Sequence, residues 1–545
     1  MEKPDFTRYY RYAEQTELLQ QYVEAYPKLV TLEAIGKSHE ERDIWALTIN
    51  NPDTGASLEK PGFYVDGNIH GSEVTASTSC HYLAWYLLSN YGQADEVTRL
   101  VDENAFYIIP MVSPDGVEHC LSTPGRVRSG TRLYPDEDPK DGLDPEDING
   151  DGLILQMRIK NPGGGWKVST KDARLMVPRA FGDTEGEFYQ VYAEGLIRNF
   201  DGVEIKHAPS KHGLDFNRNF PANWTLESKQ HGAGEYPFSE PETRAIGQFV
   251  LKHPNICGLH TLHTGFESII RPPCTTSDKE MPREDLDRVL DIGNYGKQCT
   301  GYAMFSYNQL YENIYVAHGD FATWAYDHLG LICYCVELWD LRARGCADPM
   351  ELNKLIKERN HEKLEEFGLA ELKWNDETLG GEGFVNWQPF DHPQLGQVEL
   401  GGWKPFLRNN APAQLLEQTC HNLTRFIVGH AKASPRIRVW SHDVEKLADN
   451  TYCIAVAIQN DGYLPTNITR QAVNINAVKP AEAFLELDEQ AEILTGQEKE
   501  TVGHLASYGG RKKIEWTVRF KATPKATVKV VSQKAGTVRL DLDFA

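Results

Sequence analysis

The chain has 545 residues, 40% of them hydrophobic and 10% aromatic, with 25% charged and a formal net charge of −22. That is ample apolar material for packed cores, but too much chain for one core at about 100 to 200 residues per domain. The charge has the wrong sign for nucleic acid or an anionic membrane, which both want clustered Lys and Arg.

No run approaches the roughly 18 apolar residues of a membrane helix. The opening Met1-Glu2-Lys3-Pro4-Asp5 has no signal-peptide core, so the chain as written reads as cytoplasmic, with export left open. Ten scattered cysteines without a Cys-x-x-Cys pair read as reduced core residues, and Cys333 and Cys335 should share one buried strand face.

Leu18, Leu19, Tyr22, Val23 and Tyr26 recur at helical spacing, and Pro27 closes that helix. Three short runs follow that read as strands, 29–35, 43–49 and 62–67. A helix is predicted from Glu73 to Tyr91, then a strand over 106–110, with further strands over 256–263 and 331–338. Strands alternating with long helices predict an α/β fold whose central sheet is mixed, largely parallel, and covered by helices on both faces.

Residues 135–210 form a Gly- and Asp-rich insertion without sustained periodicity, too long for a routine connection. Within it, Asp147-Ile148-Asn149-Gly150-Asp151-Gly152 repeats the first half of a calcium loop, with oxygen ligands two apart. Position twelve is Arg158 rather than Glu, so a complete EF-hand is excluded. Asp136, Asp138, Asp141 and Asp144 are candidates to complete a structural calcium site. A last amphipathic helix spans 413–433. Beyond it, alternating runs at 452–458, 514–520 and 526–532 predict a small all-β sandwich, giving a catalytic domain over 1–433 and an accessory domain over 434–545.

The chemistry starts at His70-Gly71-Ser72-Glu73, on the turn between the 62–67 strand and the following helix. Zinc takes imidazole nitrogen and carboxylate oxygen, and such a turn can aim a His and the Glu three residues on at one point. The spacing alone is weak, since about one His-x-x-Glu is expected by chance at ordinary Glu frequency. A second copy, His442 to Glu445, reads as a surface accident. The third ligand should be His263, at the end of its strand. His260, three residues earlier, should point to the opposite face.

At this point the sequence resembles the zinc metallocarboxypeptidases that include pancreatic carboxypeptidases A and B, over about residues 8–430. The resemblance rests on six blocks in the family's order: residues 67–73, 113–116, 215–219, 261–264, 314–319 and 336–339. Ser113 departs from the family's usual Asn, and the stretch between Arg128 and Asn217 is much longer than in the pancreatic enzymes. Glu337 ends an apolar strand, where a carboxylate needs a partner or a task, and it is the expected base for an attacking water. The resemblance further implies Arg128 as the partner of the tetrahedral oxyanion, with Arg126 and Arg132 as rivals. It implies Asn217 and Arg218 as the clamp on a terminal carboxylate, and Tyr315 as the tyrosine that closes over it.

By the same resemblance, Ile270, Cys274 and Ala322 line the pocket for the last side chain. All three are uncharged, which suggests apolar or aromatic terminal residues, although Asp320 and Arg271 lie close enough in sequence to reverse that preference. The implied function is zinc-dependent hydrolysis of the C-terminal bond of a peptide with a free C-terminus. The alternatives are the same chemistry on peptidoglycan stem peptides or glutamate side chains, and a silent peptide-binding scaffold. Oligomeric state is not legible in the sequence.

Overall fold

The computed structural model describes residues 1–136, 138, 140–313, 316–488 and 491–544. Eight strands build the central sheet: Val30–Lys37 (β1), Asp43–Ile49 (β2), Gly62–Gly67 (β3), Ala105–Ile109 (β4), Ile256–His263 (β5), Ser268–Arg271 (β6), Ala303–Ser306 (β7) and Ile332–Glu337 (β8). They lie in the order β1-β2-β4-β3-β5-β8-β6-β7. The middle pairs, β4–β3, β3–β5 and β5–β8, are parallel. Antiparallel pairing attaches β1 and β2 at one edge and joins β6 to β8 at the other.

Strands β3, β4 and β5 are buried along their whole lengths, as parallel strands covered on both faces must be. One cover is made by the helices Tyr12–Ala25, Thr75–Asn90, Arg283–Thr300 and Ala413–Lys432, whose Leu19, Leu83, Val289 and Phe426 pack with Phe63 and Val65. The other is made by Pro241–Lys252 and Phe321–Asp327, where Ile246, Phe249 and Ala325 meet Tyr64, Leu259 and Cys333. The α/β fold with a mixed central sheet is therefore as expected. Cys333 and Cys335 do lie in one buried cluster.

The insertion is more ordered than its composition suggests. Short strands Gln156–Lys160, Trp166–Val168, Met176–Pro178 and Tyr189–Ala193 join a distant hairpin, Phe384–His392 with Gly396–Trp403, in one six-stranded sheet. Arg158 of the insertion pairs with Glu399 of the hairpin at 2.9 Å. Strands of three to five residues are too short to display alternation, which is why the sequence pattern reads as aperiodic.

After Lys432 the chain forms two four-stranded sheets around a common core that includes Ile454, Leu485, Trp516 and Val528. This part is seated directly on the central sheet. Lys534 Nζ donates to the carbonyl of Ile256, the first residue of β5, at 2.6 Å, and Thr469 Oγ1 donates to Gly330 O at 2.6 Å. The backbone amides of Arg470 and Gln471 both donate to the buried Asp285 carboxylate.

Candidate active site

The site gathers at the carboxyl ends of β3, β5 and β8, where open α/β sheets place their ligands. Beyond β3, Asn68 takes a left-handed turn with φ of 57°. Its buried side chain ties the turn to the helix that follows, donating to His70 O and accepting from Ser77 N. Gly71 allows the turn to lie against a neighbouring backbone, because a Cβ there would meet Gly116 at 2.7 Å. The helix consequently begins at Thr75, and Glu73 remains on the turn beside His70 rather than opening the helix as predicted.

His70 Nδ1 lies 3.0 Å from Glu73 Oε1 and 3.1 Å from His263 Nδ1, and His263 Nδ1 lies 3.2 Å from Glu73 Oε2. All three side chains are buried. His260 faces away into the core, within hydrogen-bonding distance of His430 at 3.0 Å.

Around this cluster stand groups that fix it. His70 Nε2 lies 3.0 Å from Asp215 Oδ1, while Thr264 N donates to Glu73 Oε2 at 3.0 Å. Arg128 bridges the two acids, from Nη1 to Glu73 at 3.0 Å and from Nε to Asp215 at 2.9 Å. Burial pushes Glu73 and Asp215 toward protonation. Stronger opposing influences, His70 and His263 on Glu73 and Arg128, Arg218 and His70 on Asp215, hold both well below the usual carboxylate range. Burial also depresses His263.

Glu337 sits beside His263, its register partner across β5–β8. Its Oε2 is buried and has no hydrogen-bond partner among the described residues. Burial, then the neighbouring Glu73 charge, raises the affinity of Glu337 for a proton well above the usual range.

The other predicted residues distribute as follows. Arg128 is 43% exposed and reaches the cluster. Arg132 instead pairs with Glu240 at 2.7 Å, and Arg126 donates to Pro405 O and Ser72 Oγ. Arg218 and Asn217 are buried next to Asp215. Asn217 Oδ1 accepts from Phe321 N at 2.9 Å, which links this residue to the helix that carries Ala322. Tyr315 lies outside the described residues.

Ile270, Cys274 and Ala322 are buried in one apolar cluster. The two charged groups near them are committed elsewhere. Arg271 pairs with Asp278 at 2.7 Å, and Asp320 accepts from Thr323 N and Tyr311 OH.

In the acidic loop, Asp147 accepts from the amides of Gly150 and Gly152, Asn149 Oδ1 from Asp151 N, and Asp151 from Leu153 N. Among the described residues, the acid, His and Cys groups close enough to share a cation are His70–Glu73–His263 and His263–Cys335–Glu337, and this loop is not one of them.

Sequence reasoning gave no role to Asp215 or Asn410. Asp215 stands two residues before Asn217, a spacing that alone carries no signal. Asn410 donates to Ser72 O at 2.8 Å and accepts from Thr75 N at 3.1 Å, and so braces the turn that carries His70 and Glu73 from more than 330 residues away.

A family model described as zinc carboxypeptidase matches residues 15–147 and 196–361, and a second, for a domain of unknown function, matches 436–543. Carboxypeptidase O of Bos taurus is 22% identical over 357 residues, covering 64% of this chain and 75% of its own. Carboxypeptidase A1 of Mus musculus is 22% identical over 345 residues, covering 63% and 66%. A zinc carboxypeptidase of Saccharothrix mutabilis subsp. capreolus reaches 32% identity over 141 residues, 26% of this chain and 32% of its own. Among solved structures, thrombin activatable fibrinolysis inhibitor aligns with a TM-score of 0.44 at 16% identity, covering 78% of this chain and 74% of that one. The matched segments hold both histidines of the buried cluster, its glutamate and Glu337, and with more than half of the sequence inside that match the chain belongs to the zinc carboxypeptidase family.

Proposed function

We propose that the chain hydrolyses the C-terminal peptide bond of peptides with a free C-terminus, with zinc held by His70, Glu73 and His263. One observation carries this reading: two imidazole nitrogens and a carboxylate converge within about 3 Å of one another beside a buried glutamate oxygen that has no partner among the described residues. The donor set fits zinc. Ligands about 2.0–2.1 Å from a tetrahedral ion stand roughly 3.3 Å apart, close to the spacings found here. Bound there, zinc supplies Lewis acidity to water and to the scissile carbonyl.

The chain's own groups complete the chemistry. Glu337, whose buried Oε2 has no hydrogen-bond partner among the described residues, takes a proton from the attacking water and returns it to the leaving amine. Arg128 swings its guanidinium toward the oxygen on which negative charge develops. The Arg218 guanidinium and the Asn217 Nδ2 amide pair with the terminal carboxylate, as the family resemblance implies, and Tyr315 closes over it. Arg271 and Asp320 have other partners, so the pocket of Ile270, Cys274 and Ala322 favours an apolar or aromatic terminal side chain.

Residues 434–545 form an accessory β domain in this reading. A calcium role for Asp147, Asn149 and Asp151 has only the oxygen spacing behind it, because those oxygens accept from their own loop's amides.

The test is turnover of N-blocked dipeptides ending in Phe, Leu, Lys or Glu, with and without chelator, alongside zinc content. Chelator-sensitive release of Phe and Leu is expected. No turnover at full zinc occupancy would sink the proposal.

A further inference from the structure

Gly265 follows His263 by two residues and has φ of +132°, a conformation that L side chains rarely adopt. A Cβ built on it would lie 3.8 Å from Glu337 Oε2 and 3.9 Å from Asn409 Nδ2. A side chain at this position would touch both the Glu337 carboxylate and the Asn409 amide donor, whereas glycine leaves both uncovered.

The Asn409 side chain is not committed elsewhere. It makes no hydrogen bond to any described residue, although its surroundings are tightly fixed. The short helix Pro405–Asn409 is held by Arg126 Nη1 donating to Pro405 O at 3.1 Å and by Trp339 Nε1 donating to Leu407 O at 2.8 Å. The next residue, Asn410, is bonded to Ser72 and Thr75 on the turn that carries His70 and Glu73. Asn409 is thus presented on a rigid support beside the reacting carboxylate, with its donor free.

This helix packs with Trp339 and Leu416, in a cluster separate from the one that holds Ile270, Cys274 and Ala322. Residues 405–409 also fall outside both segments matched by the zinc carboxypeptidase model.

We propose that Asn409 is a substrate-positioning residue. Its Nδ2 donates to a backbone carbonyl of the peptide on the amino-terminal side of the scissile bond, as that segment crosses over Gly265. The inference rests on the carboxypeptidase reading above.

Two substrates separate the possibilities: benzoyl-Phe, which ends at the scissile bond, and a blocked tripeptide ending in Phe, which continues upstream. In Asn409→Ala the KM of the tripeptide should rise about tenfold relative to that of benzoyl-Phe, as for one lost hydrogen bond, with kcat for the tripeptide retained. In a Glu337→Gln background, which suppresses cleavage, calorimetric titration of the tripeptide should show Asn409→Ala weakening Kd by the same factor. A wild type that cleaves these substrates, combined with an Asn409→Ala variant that affects both equally or neither, overturns the assignment alone. A zinc-loaded wild type that cleaves neither overturns the carboxypeptidase reading and the assignment with it.

Discussion

His263 and Glu337 are paired residues on adjacent parallel strands, so one backbone ladder sets the distance between the proposed metal-binding imidazole and the proposed base. A one-residue slip of β8 would turn Glu337 to the opposite face of the sheet. The relationship is thus as rigid as the core of the sheet.

Glu337→Gln should therefore remove proton transfer without disturbing the imidazole beside it. We expect kcat to fall roughly 10²- to 10⁴-fold, as for loss of a general base, with zinc content unchanged by atomic absorption. Loss of zinc together with activity would place Glu337 among the ligands instead.

Arg128 and Arg132 should separate activity from stability. Arg128→Ala removes the guanidinium at the mouth of the site, and kcat should drop roughly 100-fold with zinc content unchanged. Arg132→Ala removes the only guanidinium paired with the buried Glu240 carboxylate among the described residues, which should cost roughly 2 kcal/mol in denaturant unfolding. The reverse pattern would exchange the two roles.

Asp66 gives a pH signature. It is fully buried, accepts from Thr261 Oγ1 at 2.8 Å, and is lifted by burial from 3.8 to about 7. The unfolded chain releases this proton near pH 4, whereas the folded protein keeps it up to about pH 7, so stability falls as pH rises through that window. Asp66→Asn should be close to neutral near pH 4 and stabilising by about 4 kcal/mol above pH 7. Chemical denaturation at the two pH values reads the difference, and an equal effect at both would mean that Asp66 is already ionised in the fold.

Calcium should leave the protein unchanged. The oxygens of Asp147, Asn149 and Asp151 already accept from loop amides. Melting in millimolar calcium against a calcium-selective chelator should show no shift in Tm, and a calcium-dependent rise would restore the metal-loop reading.

Much of the site was legible because its residues lie at the ends of long buried strands. The runs 62–67 and 256–263 have the bounds expected of them, and their apolar continuity reflects burial on both faces. Arg128 could not be separated from Arg126 and Arg132 by sequence, since only tertiary placement decides which guanidinium meets Glu73. Asn409 and Asn410 carried no signal at all. They sit in and just after a five-residue helix without periodicity, and are brought to Ser72 by contacts between segments far apart in the chain. The insertion's strands were hidden for a related reason, because their alternation is completed by a hairpin some 240 positions downstream.

The seat of Lys534 has a consequence for any shortened form of the protein. Its ammonium caps the first carbonyl of the strand that ends in His263, in a pocket where burial lowers its pKa to about 8. Cutting the chain after the 413–432 helix would remove the Lys534 ammonium from that carbonyl, the Thr469 hydroxyl from the Gly330 carbonyl and two backbone amides from Asp285 together. The last hundred or so residues are in that sense a keystone rather than an appendage, and a chain trimmed to its matched family segment should fail at the root of the strand that carries His263.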